Sequence, residues 1–428
     1  MKSRIWKATG VAVMAALMAA CGGSSNDDPA APPVAGPGPA PAPAATKFSK
    51  NAAWTFPLPA AASICYDFDA ATEVAGCTGA AWDLMVKNDG RSTTLWTNSG
   101  VSGSGKGGAF GGPFDRRWSE LATWSDATVD PVDGAMPDAV YFKDAAAGVF
   151  TGTNPIGVAA FEYGVAGDHL FYPNYRVFLI TTDSSSADAV GTGPAPVFAL
   201  QITGYYGGAG GAASGHPTFR WVDRAAPGAI REATVDASAA GTWVYFDLIT
   251  GTESSETGTW HIAFNRYNVK LNGGESGTGN VAGFVGRQPA GFYDANGALV
   301  ASRFTGAQPS ETLADLTATD MAVPAGAAGW IEDSNDSALN ADARGAFPKA
   351  LDYGWYSYYP TVDAATEAGI VPPVAHVLAA NPEGAALLKS GEGNSYARFH
   401  VTSISYADPA QVSSQQTWTI EFDVQPAQ

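Results

Sequence analysis

The chain has 428 residues, 46% of them hydrophobic, with 41 Asp and Glu against 23 Lys and Arg for a net charge of −18. That apolar content marks a folded body rather than a disordered chain. The negative excess excludes nucleic acid and anionic lipid head groups as direct partners of its surface, and because the acidity is spread out, solubility accounts for it.

Lys2, Arg4 and Lys7 precede an apolar run from Val11 to Met18 and the small pair Ala19-Ala20. This is the layout of a secretory signal peptide over residues 1–20, with an apolar run too short to span a membrane. Cys21, directly after two Ala, resembles the cleavage box of bacterial lipoproteins, in which the Cys is lipidated. Met18 stands where Leu is usual, and ordinary secretion with an unmodified Cys21 is the alternative. Gly22 resembles lipoproteins sent on to the outer membrane. The rest of residues 21–46 is Gly, Ser and Asp, then alternating Pro and Ala. With no apolar face to bury, it reads as a disordered, semi-extended tether.

Beyond Cys21 the chain has only Cys65 and Cys77. In an exported protein this pair predicts one disulfide. Metal binding is the weaker reading, because no second pair or nearby His completes a site.

The body repeats itself once. Phe68-Asp69, Trp82-Asp83-Leu84, Asn98-Ser99-Gly100 and Ser102-Gly103-Ser104-Gly105 return as Phe246-Asp247, Trp260-His261-Ile262, Asn272-Gly273-Gly274 and Ser276-Gly277-Thr278-Gly279. Further on, Phe198-Ala199-Leu200, Tyr205, Thr218-Phe219 and Trp221 return as Phe399-His400-Val401, Tyr406, Thr419-Ile420 and Phe422. These runs alternate apolar and polar residues and end in Gly-rich or Asp-Pro turns, as strands and hairpins do. The fold class is therefore all-β: two tandem, duplicated antiparallel domains over 47–223 and 224–428, behind the lipoprotein signal peptide and the Pro/Ala-rich tether. Only Asn381–Lys389 carries a helical signal, with Asn381 as cap and Pro382 at the first position.

Gly100 to Lys106 spells G-x-x-x-x-G-K, but no βαβ unit surrounds it and the second copy has Asn280 in place of Lys106. A turn is the better reading. No H-E-x-x-H or catalytic Ser arrangement appears, so an enzyme is not indicated.

Trp243-Val244-Tyr245-Phe246, Trp260 to Tyr267, Asn272-Gly273-Gly274 and Ser276-Gly277 resemble the opening of a domain of the HmuY family of haem-binding lipoproteins. Asp168-His169-Leu170, Pro173, Tyr175 to Thr181 and Phe198 to Tyr206 resemble its closing half, as do Gly354-Trp355-Tyr356 and Tyr396 to Phe399. The resemblance implies haem held in a cleft at one end of the fold between two axial His or Met side chains. It also implies delivery to a TonB-dependent outer-membrane receptor from the cell-surface or periplasmic face.

The axial candidates are few. His169 opens a His-Leu-x-x-Pro loop and leads, although a solvated loop His reads the same way. Met136 and Met321 occupy comparable loops of the two halves, and each also suits plain packing. His376 reads as a strand position paired with Arg176. His261 and His400 alternate with core residues and are expected to face water. Neither half offers an evident matched pair of His, so one domain binding while the other serves as a spacer stays open. The reading from a second class is a surface adhesin or glycan-binding module using aromatics such as Trp118, Trp124, Trp330 and Tyr358.

Overall fold

The computed structural model describes residues 46–58, 61–89, 92–186, 188–341 and 343–427. The signal peptide at 1–20, Cys21 and the tether up to residue 45 lie outside the described residues. Strand makes up 39% of the structure and helix 10%, in keeping with the all-β expectation. Alternation forms the strands: along Lys50–Leu58, Trp54, Phe56 and Leu58 are buried while Thr55 and Pro57 face out, since successive side chains leave opposite faces.

Two sandwiches result. The larger sheet of the first runs Lys50–Leu58, Gln416–Gln425, Tyr396–Tyr406, Gly384–Lys389, Gly108–Phe110 and Tyr141–Phe142, with Arg116–Arg117 also paired to Gly384–Lys389. Its second sheet is Thr72–Glu73, Ala62–Asp67, Leu84–Asn88 and Thr93–Thr97. Trp54, Tyr66, Leu84, Phe399 and Trp418 share the apolar cluster that both sheets bury. In the other sandwich, Arg231–Thr234, Ala213–Asp223, Val197–Gly207, Val177–Thr181 and Ala282–Arg287 form five strands. Thr252–Ser254, Val244–Asp247, Ile262–Asn265 and Asn268–Leu271 form the facing four, and Phe178, Leu200, Phe219, Trp221 and Phe264 lie in its core.

The first sandwich, the outer lobe, takes its strands from both ends of the chain, and the inner lobe takes its strands from the middle. The chain crosses between them on Ala145–Ala147 and returns on Ser334–Asp336, and the two crossings pair antiparallel. The division at 223/224 expected from the repeat is thus not where the sheets divide. Lys50–Leu58 pairs with Gln416–Gln425, and Val177–Thr181 with Ala282–Arg287. Each lobe joins the opening half of one repeat to the closing half of the other. An exchange of equivalent elements between related units has this form.

The repeated Asn-containing turns are built alike. Asn98 Nδ2 donates to the Trp82 carbonyl at 2.8 Å while its Oδ1 accepts from the Gly105 N–H at 2.9 Å. Asn272 makes the same two bonds to Trp260 and Gly279, at 3.0 and 3.1 Å. A Cβ on Gly103 would stand 2.1 Å from Asn98 Oδ1, and one on Gly277 2.1 Å from Asn272 Oδ1, so only glycine permits this approach. Cys65 and Cys77 form the expected disulfide.

Two local expectations are corrected. Gly384–Lys389 is a strand with all six residues buried, not a helix, because pairing on both sides and burial on both faces outweigh the marginal stability of so short a helix. His261 and His400 are buried rather than in water. The far face of the outer sheet is covered by the helical turn Trp118–Leu121, and the Trp118 ring stacks on His400 at 4.0 Å. His261 Nδ1 lies 3.1 Å from Asp247 Oδ1, and burial lowers its pKa.

Candidate functional site

A cleft of about 640 Å³ opens at one end of the outer lobe, within the ordinary range for small-molecule sites. Its lining includes Leu58, Asn88, Thr93, Tyr353, Tyr356, Tyr358, His376, Leu378 and the segment from Val412 to Gln416. The aromatic wall comes from the run Tyr353-Gly354-Trp355-Tyr356-Ser357-Tyr358. Gly354 sits at φ +83, where a Cβ would stand 2.5 Å from that of Phe114. The turn it makes sends Trp355 into the core and stacks the rings of Tyr353 and Tyr356 at 4.8 Å, 6° from parallel. Burial pushes the Tyr356 phenol above its ordinary range.

The chemistry of the cleft is concentrated in two residues. Tyr358 lies on the strand Tyr356–Tyr359, and His376 stands just ahead of its partner strand Val377–Ala380. Tyr358 Oη and His376 Nδ1 are 2.6 Å apart. His376 adopts φ +65 while its N–H donates to the Tyr359 carbonyl at 2.8 Å, so the ring is held at the head of the strand with its edge exposed. The Leu378 N–H donates to Tyr406 Oη at 2.8 Å, tying this wall to the main sheet. In the tautomer that carries its proton on Nδ1 and donates it to Tyr358, Nε2 presents a lone pair. An imidazole donor among phenol rings suits an iron porphyrin, but the lining supplies no second His or Met. No Lys or Arg is among its described lining residues.

The residues singled out from sequence do not meet. His169 is in the inner lobe, exposed, with Nδ1 3.0 Å from Tyr163 Oη. Met136 packs against the cluster of Phe48, Leu121 and Trp124 on the far side of the outer sheet. Met321 is buried with Leu179 and Trp330, and its sulfur lies 3.4 Å from Arg224 Nη1. Neither Met lines the cleft; both occupy apolar packing positions, the alternative their composition allowed. Trp124 and Trp330 are buried too, which removes them as sugar-stacking surfaces.

His376 and Tyr358 were missed as a pair. A spacing of about 200 sets His376 against Arg176, whereas the hairpin register sets it against His169. The available signal was an aromatic-x-Tyr run in Phe161-Glu162-Tyr163 and Tyr356-Ser357-Tyr358, each followed by a His ahead of an apolar strand.

Elsewhere in the outer lobe, Asp67, Asp69 and Asp83 bring carboxylate oxygens within 4.8 Å of one another. These oxygens serve the fold. Asp83 accepts from the N–H groups of Phe68 and Gly391, both at 2.8 Å, and Ser395 donates to Asp69. Burial, with the neighbouring carboxylates adding to it, pushes Asp83 up to about 7.

Residues 239–422 match the family model described as HmuY protein. No curated protein matches the chain. The matched span includes Tyr358 and His376 and runs through the returning crossing at Ser334–Asp336. It therefore joins the opening half built into the inner lobe to the closing half built into the outer lobe.

Proposed function

We propose that the protein is an exported, non-enzymatic haem binder that takes haem into the outer-lobe cleft, with His376 Nε2 as an axial donor to the iron. The observation that carries this is the Tyr358–His376 pair in an aromatic cleft, inside the span that matches a haem-binding family. Bound haem would supply the iron as the acceptor of the imidazole lone pair. The chain's own part is to fix the tautomer through Tyr358, wall the ring with Tyr353 and Leu378, and keep the site open at one end for release. Met136 and Met321, being packed, have no part in this reading.

The same reading extends to the ends of the protein's path. The segment over 1–20 directs export, Cys21 carries the lipid that holds the chain at the outer membrane, and the tether lets the lobes reach a TonB-dependent receptor. The repeats, nominally 47–223 and 224–428, are two copies of one HmuY-like unit whose halves are exchanged between lobes.

Titration of the body, residues 47–428, with haem tests the central claim by visible absorption. A saturable Soret shift that His376→Ala weakens or removes supports it. No saturable shift in either oxidation state would reject it. Labelled-lipid incorporation that Cys21→Ala fails to abolish would reject the anchor.

A further inference from the structure

We infer that the outer lobe carries a second binding pocket, for a phosphate dianion, free or at the end of a small monoester, held by Lys106, Lys143 and Lys389.

A cavity of about 200 Å³ is lined by these three lysines with Gly107, Asp138 and Tyr141. Strand register brings them together. Lys389 lies opposite Gly108 on one side. On the other, Phe142 lies opposite Ala109, and Lys143 follows it in the chain. Paired residues send their side chains to the same face of a sheet, so Lys389 and Lys143 flank Gly108 about two strand spacings apart, roughly 10 Å. The glycine puts no side chain between them, which leaves a gap that an anion can fill. Lys106 closes the gap from the turn ahead of Gly108–Phe110, and its N–H donates to the Gly391 carbonyl at 2.7 Å. Tyr141 Oη donates to the Ala127 carbonyl, so its ring is a wall.

The charges do not cancel within the pocket. Lys389 is buried and donates to Asp138 Oδ2 at 2.7 Å. Among the described residues, Lys106 and Lys143 have no carboxylate partner. Three ammonium groups against one carboxylate leave +2, in a chain whose net charge is −18. A phosphate monoester approaches −2 at neutral pH and matches that charge. Lysine also suits phosphate as a point charge, whereas a planar carboxylate favours arginine. The acidic surface around the pocket repels long polyanions, which selects a small ligand.

The inner lobe builds the same framework without these lysines. Residues 98–112 align with 272–286, which sets Asn280 against Lys106. Thr181 pairs with Ala282 as Lys389 pairs with Gly108, and Gly283 bridges to Ile331 as Ala109 pairs with Phe142. Thr181 and Glu332 therefore stand against Lys389 and Lys143. The sheet forms with no cation at any of the three positions, so folding does not account for all three in the outer lobe.

This pocket is distinct from the aromatic cleft. Lys389 pairs with Tyr396 at one end of a strand, and Gln416 of the cleft pairs with Tyr406 at the other, roughly 30 Å away.

Isothermal titration calorimetry of the body, residues 47–428, with inorganic phosphate and with glucose 6-phosphate is the test. One saturable site for at least one of them is expected, and a preference between the two identifies the source of the phosphate. Acetate, a monoanion, should bind at least 10-fold more weakly. Lys106→Asn with Lys143→Glu installs the inner-lobe residues and should weaken phosphate binding by roughly 100-fold or more, and either lysine changed alone to Gln by roughly 10-fold. Both side chains are exposed, so these variants should keep the parental melting temperature. Lys87→Gln, on the opposite sheet, should bind as the parent does. Unchanged affinity in the double variant, an equal loss in Lys87→Gln, acetate binding as tight as phosphate, or no saturable site in the parent would each overturn the inference. The Soret titration is independent of all of these, because cleft and pocket share no lining residue.

Discussion

Asp144 and Asp333 close the same turn in the two lobes, each from the residue just ahead of a crossing strand. The Thr97 N–H donates to Asp144 Oδ2 at 2.9 Å and the Leu271 N–H to Asp333 Oδ2 at 2.8 Å. The backbone carbonyls of the same two Asp accept from Val101 and Glu275. Asp144 Oδ1 also accepts from the Ala338 N–H, beyond the returning crossing. The exchange of halves is thus pinned at two related points, with the ribbon of Ala145–Ala147 and Ser334–Asp336 between them.

That arrangement predicts how the chain can be cut. Residues 148–333 contain both inner sheets and their core, so this fragment alone should give a cooperative melt. Residues 47–223 lack the partners of Lys50–Leu58 and of one edge of Val177–Thr181, and should melt without cooperativity or at a much lower temperature. Calorimetry of the two fragments decides, and an unfolded 148–333 would disprove the nesting.

Stability should fall as pH rises from about 4 to about 7. Burial raises Asp83 to about 7 and Asp333 to about 6. A folded-state value above the unfolded one means that the contribution is complete below the unfolded value, near 3.9, and lost on passing the folded one. The shift at Asp83 corresponds to roughly 4 kcal/mol at most. Asp126 acts in the opposite sense. Burial alone would raise it, but hydrogen bonds from Lys47, Thr128 and Gln425 hold it well below its ordinary value. Its contribution is present above about 3.9 and lost as pH falls further. Melting temperature should therefore peak in mildly acid buffer and decline toward pH 8, and Asp83→Asn should flatten that decline.

Tyr358→Phe removes the oxygen that orients His376 while keeping the ring. Loss of such a partner costs roughly 10- to 100-fold in affinity for a metal-bound ligand, with little change in melting temperature. Haem affinity equal to that of the parent would show that the tautomer is set in another way.

The Asn turns should be structural alone. Asn98→Ala leaves the Trp82 carbonyl and the Gly105 N–H without their partners, a loss of roughly 1–3 kcal/mol. Gly103→Ala drives a methyl into Asn98 and should cost at least as much. Denaturant midpoints measure both, and haem stoichiometry of the folded fraction should not change.

A single imidazole in the cleft predicts a spectrum. With no second His or Met among the lining residues, the ferric complex should be high-spin, and added free imidazole should convert it to low-spin. A low-spin complex without added ligand would mean that a second donor from this chain or another copy reaches the iron.

The sequence alone determined what depends on neighbours along the chain. Alternating apolar residues wrote the strands, Gly103 and Gly277 marked turns that admit no side chain, and Cys65 and Cys77 lay close enough to pair. The recurrence of these signals made a repeat along the chain legible. It could not show which opening half receives which closing half, because equivalent apolar faces make the two pairings alike until the crossings at Ala145–Ala147 and Ser334–Asp336 join. Burial of His400 likewise depended on Trp118, more than 250 residues away, covering a face that alternation leaves for water. His376 was hidden for the same reason: loops of unequal length break a constant spacing, and only the hydrogen-bonded register of the paired strands sets it beside Tyr358 and in line with His169.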